Sequence, residues 1–319
     1  MNKTNKVISP ISLFLIIVIF LNLNCLNKQK VIGDYTRSII SGGLERTYLI
    51  HIPPSYDKTK PMPLLIALHG GGGTGAGMER LTCGGFNTLS DKEGFIVVYP
   101  DGIEKHWNDS RPDVKYHAHK EKVDDVGFIS ALIDHLIKEM NIDKKRVYVT
   151  GISNGAMMSH YLAFELSEKI AAIAPVAGGI PEGFNTNRST SRPISVLAIN
   201  STNDKSIPWE GGEITFCGKR GKVLSVADTI KYWVTNNGCP SSPVITQEPD
   251  KDPQDGTLVR REVYGGGRDE TEVILYAVEG GGHTWPNGYQ YLAERFVGKT
   301  TKDIDANEII WGFFKKHTR

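Results

Sequence analysis

Runs of apolar residues alternate with amphipathic segments over most of the chain, and this order predicts the elements of the fold. Continuous apolar runs are typical of strands that are covered on both faces of a parallel sheet. We predict such strands at residues 63–68, 95–99, 146–150, 170–176, 194–199 and 273–278. Residues 46–52 alternate in polarity like an early edge strand. Helical patterns cover residues 126–140, 156–166, 226–236 and 306–317.

Strands that alternate with helices predict parallel βαβ units, in which helices cover both faces of a mostly parallel, doubly wound sheet. The expected fold class is therefore α/β, with three αβα layers. No internal repeat or break in composition divides the chain, so we expect one domain over residues 40–319, preceded by a linker over residues 26–39. Residues 102–122 and 240–255 have little pattern and are expected to be loops beside the sheet.

The N-terminal segment differs in character from the rest of the chain. Two lysines precede an apolar run from Ile11 to Leu21. A spanning helix needs about 20 apolar residues, whereas the core of a signal peptide needs roughly 7–15. We therefore interpret residues 1–25 as an export signal, with a short uncleaved anchor as the alternative. Cys25 follows the apolar core where a bacterial lipoprotein is cleaved and lipidated; plain secretion is the alternative.

Composition and charge narrow the partners that the chain is expected to have. Of the 319 residues, 39% are hydrophobic and 23% are charged, and the formal net charge is +1. This balance gives no reason to expect nucleic acid, and contact with a membrane is expected only through a lipid anchor at Cys25. Export places the chain where disulfides persist. Cys217 and Cys239 flank one predicted helix and are a candidate pair, although spacing does not fix the connectivity.

The strand that ends at Thr150 leads into Gly151-Ile152-Ser153-Asn154-Gly155 and then into a helix. G-x-S-x-G between a strand and a helix is typical of the nucleophile turn of the α/β-hydrolase fold. Its glycines allow close backbone approach, and the serine hydroxyl projects above the sheet. The start of the helix beneath the serine favours developing negative charge. Ser153 is therefore the candidate nucleophile.

A serine nucleophile needs a base that takes its proton and an acid that orients the base. In this fold the acid and then the histidine follow the serine along the chain, each after a later strand. Asp204 lies in the loop after the sixth predicted strand, and His283 follows the last one through three glycines. Asp204 as the cap of a turn is the alternative. Asp124 and Asp125 are rival acids, but they directly precede a helix and resemble its N-cap.

A glycine run after the second predicted strand is the candidate oxyanion loop. It reads His69-Gly70-Gly71-Gly72-Gly73, and such loops donate one backbone N–H to the oxyanion. The second donor is expected to be the N–H of Asn154, directly after the nucleophile. A phosphate cradle is the alternative, but the run lacks the G-K-[ST] ending of a P-loop. His117 and His119 form an isolated H-x-H without a third ligand, so no metal site is predicted.

The chain carries further motifs beyond G-x-S-x-G. In order they are L-H-G-G-G-G (68–73), Y-P-D-G (99–102), W-N-D (107–109), V-D-D-V-G-F-I (123–129), G-I-S-N-G-A-M-M (151–158), W-E-G-G (209–212), G-G-G-H-T-W-P (280–286) and D-I-D-A-N-E-I-I-W-G-F-F-K-K-H (303–317). Together they resemble the polyhydroxybutyrate depolymerase, feruloyl and acetylxylan esterase family of secreted α/β-hydrolases, over residues 40–318.

The resemblance implies that Ser153, Asp204 and His283 form a catalytic triad. It also implies that the N–H groups of Gly71 and Asn154 are the oxyanion donors. The expected activity is that of a serine carboxylesterase that works through an acyl-enzyme and requires no metal or organic cofactor. The expected substrates are hydroxybutyrate polyesters or feruloyl and acetyl esters of plant polysaccharide, and the shared motifs do not distinguish between them.

Two tryptophans lie near the candidate catalytic residues in the sequence. Trp107 and Trp285 are candidate walls for a substrate chain, and the alternative is that both pack loops onto the sheet.

A serine peptidase on the same fold is one alternative function, but it would usually carry a gating domain that a chain of this length does not accommodate. A catalytically silent surface-binding lipoprotein is the other, and the complete set of serine, aspartate and histidine argues against it.

Overall fold

A ten-stranded sheet lies at the centre of the computed structural model, which describes residues 32–112, 114–184, 186–215 and 220–319. The strands are β1 (Gly33–Ser41), β2 (Leu44–Ile52), β3 (Met62–Leu68), β4 (Ile96–Pro100), β5 (Ile142–Ile152), β6 (Ala172–Val176), β7 (Ser195–Ser201), β8 (Gly212–Glu213), β9 (Lys222–Val223), β10 (Val244–Gln247), β11 (Leu258–Tyr264) and β12 (Val273–Glu279). The short strands β8 and β9 pair separately from the large sheet.

The described helices lie on the two faces of the large sheet. They are α1 (Gly75–Leu81), α2 (Gly85–Glu93), α3 (His117–Lys120), α4 (Asp125–Met140), α5 (Asn154–Glu165), α6 (Val226–Asn237), α7 (Glu294–Val297) and α8 (Ala306–Phe314). Buried side chains of α4, α5 and α6 form the core on one face. Those of α1, α2 and α8 form the core on the other face, so the predicted three-layer α/β arrangement is confirmed.

The strand order explains why the central strands are apolar throughout. Along the sheet the order is β1-β2-β4-β3-β5-β6-β7-β12-β11-β10. The neighbours from β4 to β12 pair in parallel, and the strands at both edges pair antiparallel. All seven residues of β3 are buried, with alternate side chains in the two cores. A strand covered on both faces has no polar side and therefore reads as one apolar run.

The strands at the edges of the sheet differ from several of the predictions made from the sequence. Residues 33–39, predicted as linker, belong to β1, which pairs with β2 over its whole length. Residues 46–52 are therefore second from the edge. The predicted loop at 240–255 contains β10, whose four residues are all exposed. These strands were missed because exposed edge strands carry polar residues and lack a continuous apolar run. Helices α1 and α2 were missed because they are short, and α1 contains two glycines.

Several predictions fall outside the described residues. The predicted export signal at residues 1–25, with Cys25, is one of them, and it stays a prediction. Cys217 also lies outside the described residues, so its predicted disulfide with Cys239 stays a prediction as well. Cys239 itself has a free thiol, whose Sγ lies 3.9 Å from the Thr271 carbonyl oxygen. Over the part of the chain that the structure describes, no helix has the length and apolar character needed to cross a membrane.

Candidate active site

Ser153 occupies a sharp turn between β5 and α5. Its backbone has φ 58° and ψ −117°, a conformation that a non-glycine residue rarely adopts and that costs on the order of 1–3 kcal/mol. The flanking glycines are required by close approach to the neighbouring loop. A Cβ on Gly155 would lie 2.6 Å from the His69 carbonyl oxygen, and one on Gly151 would lie 2.8 Å from that of Leu68. Tertiary contacts therefore hold the strained turn that exposes the hydroxyl.

Asp204 and His283 meet at the carboxyl ends of β7 and β12. The Nδ1 of His283 lies 2.6 Å from Oδ2 of Asp204, and both side chains are buried. The other carboxylate oxygen, Oδ1, accepts hydrogen bonds from the backbone N–H groups of Ser206 at 2.7 Å and Ile207 at 2.8 Å. The aspartate is therefore held at both oxygens. Because Asp204 binds Nδ1 of His283, the other ring nitrogen, Nε2, is the one available to groups in the cavity. Ser153 lines the same cavity.

The glycines before His283 allow its loop to pass very close to another segment. A Cβ on Gly282 would lie 2.7 Å from the Gly298 carbonyl carbon, so no larger residue fits there. The carbonyl oxygen of His283 accepts a hydrogen bond from the Tyr291 hydroxyl at 2.9 Å. The glycine run therefore serves backbone packing, and Tyr291 holds the histidine loop against the cavity.

The glycine-rich loop after β3 brings Gly71 beside Asn154. Gly72 and Gly73 donate their N–H groups to carbonyl oxygens of Lys105 at 2.8 Å and Gly70 at 2.9 Å. Within the described residues the N–H of Gly71 has no such acceptor. A Cβ on Gly71 would lie 3.7 Å from that of Asn154, whose own N–H is the first of α5. The two candidate oxyanion donors, Gly71 and Asn154, thus lie side by side.

His69 fixes the shape of this loop. Its Nε2 accepts a hydrogen bond from the Gly102 N–H at 3.0 Å, so the proton of the neutral ring is on Nδ1, which donates to the Gly70 carbonyl oxygen at 2.8 Å. Burial lowers the pKa of His69 to about 4, which keeps the ring neutral near pH 7. The indole N–H of Trp107 donates to the His69 carbonyl oxygen at 2.9 Å. His69 is therefore a structural tie rather than a base.

A buried carboxylate that sequence reasoning missed holds the side chain of Asn154. The Asn154 amide oxygen accepts a hydrogen bond from the backbone N–H of Trp107 at 2.8 Å, and the Asn154 amide nitrogen donates to Oδ2 of Asp109 at 2.6 Å. Asp109 is fully buried and pairs with Arg111 at 2.8 Å and His119 at 3.0 Å. Burial alone would raise the pKa of Asp109, but Arg111 and His119 outweigh burial and hold it well below its usual range. In the sequence, the W-N-D motif at residues 107–109 is the feature that could have pointed to Asp109.

Asp109→Asn is expected to lower the free energy of unfolding by about 3–5 kcal/mol, because it leaves the buried Arg111 without its partner charge. Denaturant unfolding followed by circular dichroism measures the change. Asp143→Asn is the matched control, since Asp143 pairs with Arg146 at a partly exposed site, and such pairs contribute about 0–1 kcal/mol. Equal effects of the two substitutions would contradict the role given to Asp109.

The two tryptophans do not line the cavity, which corrects the prediction that they contact substrate. Trp107 and Trp285 are both 0% exposed. The indole N–H of Trp285 donates to the Asn307 side-chain oxygen at 3.2 Å, and its ring packs edge-on against Phe86. Both tryptophans therefore hold loops onto the sheet. Their positions beside functional residues in the sequence did not reveal that the side chains point inward.

A cavity of 490 Å³ opens above Ser153 and His283. Its apolar wall consists of Met78, Leu81, Met157, Ile207 and Ile214. Aromatic rings of Tyr116, Tyr289 and Tyr291 form part of its edge, and no carboxylate is among its described lining residues. The cavity therefore brings the candidate nucleophile Ser153, the candidate base His283 and two candidate backbone donors next to an apolar wall, and acyl transfer needs such an arrangement.

Comparison with known proteins agrees with this geometry. Residues 46–206 match the family model described as Esterase PHB depolymerase. The chain belongs to this family. A putative esterase, NocK, from Nocardia uniformis subsp. tsuyamanensis is 30% identical to this PHB depolymerase-type esterase over 87% of the chain and 82% of the relative. A probable feruloyl esterase C from Aspergillus niger is 26% identical over 77% of the chain and 79% of the relative.

The solved structures bear on the fold. An acetyl xylan esterase from Aspergillus awamori superposes with a TM-score of 0.54 at 21% identity, covering 78% of this chain and 94% of that one. The predicted family, the α/β-hydrolase fold and the enzyme class are confirmed: the protein is an ester hydrolase. The comparisons do not favour a peptidase or a catalytically silent lipoprotein.

Proposed function

We propose that the protein hydrolyses carboxylic esters through an acyl-enzyme on Ser153, with His283 as general base and Asp204 as the acid that orients it. The observation that carries the proposal is the 2.6 Å hydrogen bond between Asp204 and His283, together with the strained Ser153 turn that lines the same cavity as His283. The strain supports a catalytic role, because such backbone conformations cluster at active sites.

The reaction begins when His283 Nε2 takes the Ser153 proton as Oγ attacks the ester carbonyl. The N–H groups of Gly71 and Asn154 stabilise the oxyanion, each by about 3–4 kcal/mol in comparable sites. The imidazolium, stabilised by Asp204, gives its proton to the leaving alcohol. Water then attacks the acyl-enzyme with His283 again as base, and the acid is released. No step in this sequence calls for a metal or an organic cofactor.

The substrates that we propose are hydroxybutyrate oligomers or feruloyl and acetyl esters of plant polysaccharide. Support comes from relatives named feruloyl esterase and acetylxylan esterase, and from the apolar wall and aromatic edge of the cavity. The test is a panel of methyl ferulate, acetylated xylan, hydroxybutyrate trimer and a peptide, with a fluorophosphonate probe that labels activated serines. Labelling of Ser153 and turnover of an ester support the proposal; turnover of the peptide alone would overturn it.

We also propose that residues 33–319, which include the edge strand β1, act as one exported catalytic domain and that Cys25 is lipidated. The apolar run before Cys25 supports export. Radioactive palmitate fed to cells that express the full chain is expected to label the wild type, and Cys25→Ala is expected to remove the label. Cys83→Ala is the matched control, since Cys83 is an exposed thiol outside the predicted signal. Equal labelling of wild type and Cys25→Ala would exclude lipidation at Cys25.

A further inference from the structure

His106 lies against the oxyanion loop without a role in the chemistry described above. A Cβ on Gly71 would lie 3.2 Å from Cδ2 and 3.3 Å from Nε2 of His106, so this edge of the ring packs on Gly71. The ring stacks on Tyr116 with centroids 3.7 Å apart and planes 16° apart. Both rings line the cavity. His106 therefore presents Nε2 close to the place where the reacting carbonyl binds.

The hydrogen bond at the other nitrogen fixes what Nε2 can do. Nδ1 of His106 lies 2.9 Å from the Glu104 carbonyl oxygen, which can only accept, so Nδ1 carries the proton. In the neutral ring Nε2 is then an acceptor. Burial lowers the pKa of His106, the hydrogen bond to the Glu104 carbonyl opposes this, and the positive charges of Arg220 and Arg111 lower the pKa further. The neutral form is therefore the one present near pH 7.

An acceptor at this position has a consequence for substrate choice. Once a substrate fills the cavity and excludes water, an acceptor without a donor costs about 1–3 kcal/mol. An ether or ester oxygen cannot supply the missing proton, whereas a hydroxyl group can. Sites built to bind a substrate hydroxyl discriminate against analogues that lack it, because the polar group of the site is then left unpaired.

We propose that His106 selects esters that carry a free hydroxyl group near the reacting carbonyl, by accepting a hydrogen bond from that hydroxyl at Nε2. The proposal rests on the proposed ester hydrolysis at Ser153 and adds a residue that determines specificity. The hydroxyl belongs either to the acid part of the ester, as in 3-hydroxy acids, or to the alcohol part, as in a sugar. The chemistry recognised is the same in both cases.

The experiment compares pairs of esters that differ only in methylation of the hydroxyl. For the acid part the pair is ethyl 3-hydroxybutyrate with ethyl 3-methoxybutyrate. For the alcohol part the pair is 2-hydroxyethyl acetate with 2-methoxyethyl acetate. The wild type is expected to prefer the free hydroxyl by about tenfold in kcat/KM in at least one pair, and that pair identifies the source of the hydroxyl.

His106→Phe keeps a ring for Tyr116 and Gly71 but has no acceptor, so the preference is expected to fall to about one. His106→Gln restores an acceptor and is expected to recover part of the preference. His135→Phe, on α4 and outside the cavity lining, is the control and is expected to keep the wild-type ratio. Because each ratio is taken within one enzyme, a loss of folded protein affects both esters equally.

Two results would overturn the inference. One is the absence of a preference in both pairs; the other is a preference that persists in His106→Phe, which would come from the size of the methoxy group. In either case hydrolysis that disappears in Ser153→Ala still supports the proposed function. Failure of the wild type to hydrolyse any of these esters would instead count against ester hydrolysis at Ser153, and with it against the role of His106.

Discussion

Ser153→Ala is expected to lower kcat for ester hydrolysis by about a millionfold, since loss of the nucleophile in comparable triads has this effect. Alanine keeps the Cβ of serine, so the strained turn and its contacts with the neighbouring loop are retained. The backbone donors of Gly71 and Asn154 also stay in place, and they account for the residual rate, about 10³–10⁴-fold above that in water. Stopped-flow assays with a short nitrophenyl ester measure the formation of the acyl-enzyme, and steady-state assays with the same ester measure kcat.

The chain offers a matched control in a second serine, histidine and carboxylate set. Ser195 Oγ lies 3.2 Å from Nδ1 of His317, and Nε2 of His317 lies 3.1 Å from Glu272. Ser195 is only 1% exposed and lies in β7 rather than in a strained turn, and it does not line the active-site cavity. Ser195→Ala is therefore expected to leave kcat within a few-fold of wild type. A large loss in Ser195→Ala, or little loss in Ser153→Ala, would contradict the assignment.

The contrast between the two sets explains why the sequence singles out Ser153, Asp204 and His283 as the candidate triad. Ser153, Asp204 and His283 each follow the carboxyl end of a strand, and parallel strands bring those ends to one edge of the sheet. Chain order and strand pattern are local properties that the sequence displays. The structure places Asp204 in contact with His283, which lines the same cavity as Ser153. Residue types alone would not have separated these three residues from Ser195 and its partners.

What the sequence did not reveal depends on side-chain direction. Trp285 is two residues from His283 yet points into the core, and Trp107 does the same beside the oxyanion loop. Asp109 and His106 belong to an irregular segment, where no periodicity indicates which side chains are buried. Their roles follow only from contacts with Asn154 and Gly71, which are distant in sequence and adjacent in the fold.

Asp204→Asn is expected to lower kcat by about 10⁴-fold while the protein stays folded, through a change in the tautomer of His283. Oδ1 of Asp204 accepts two backbone N–H groups, so the asparagine oxygen must take that position because its NH₂ group would face two donors. The NH₂ group then faces Nδ1 of His283. That nitrogen becomes an acceptor, and the ring proton moves to Nε2. An Nε2 that already carries a proton cannot take the one on Ser153.

The readout that separates this cause from misfolding is the tautomer itself. Nitrogen NMR shifts of His283 are expected to show a protonated Nδ1 in the wild type and a protonated Nε2 in Asp204→Asn. Asp124→Asn is the control, because Asp124 was a rival acid and instead caps α4 through the Gly127 N–H at 2.7 Å. Asparagine caps helices about as well as aspartate, so kcat should not change. A wild-type kcat in Asp204→Asn would show that Asp204 is not the acid of the triad. A loss of 10³-fold or more in Asp124→Asn would assign that role to Asp124.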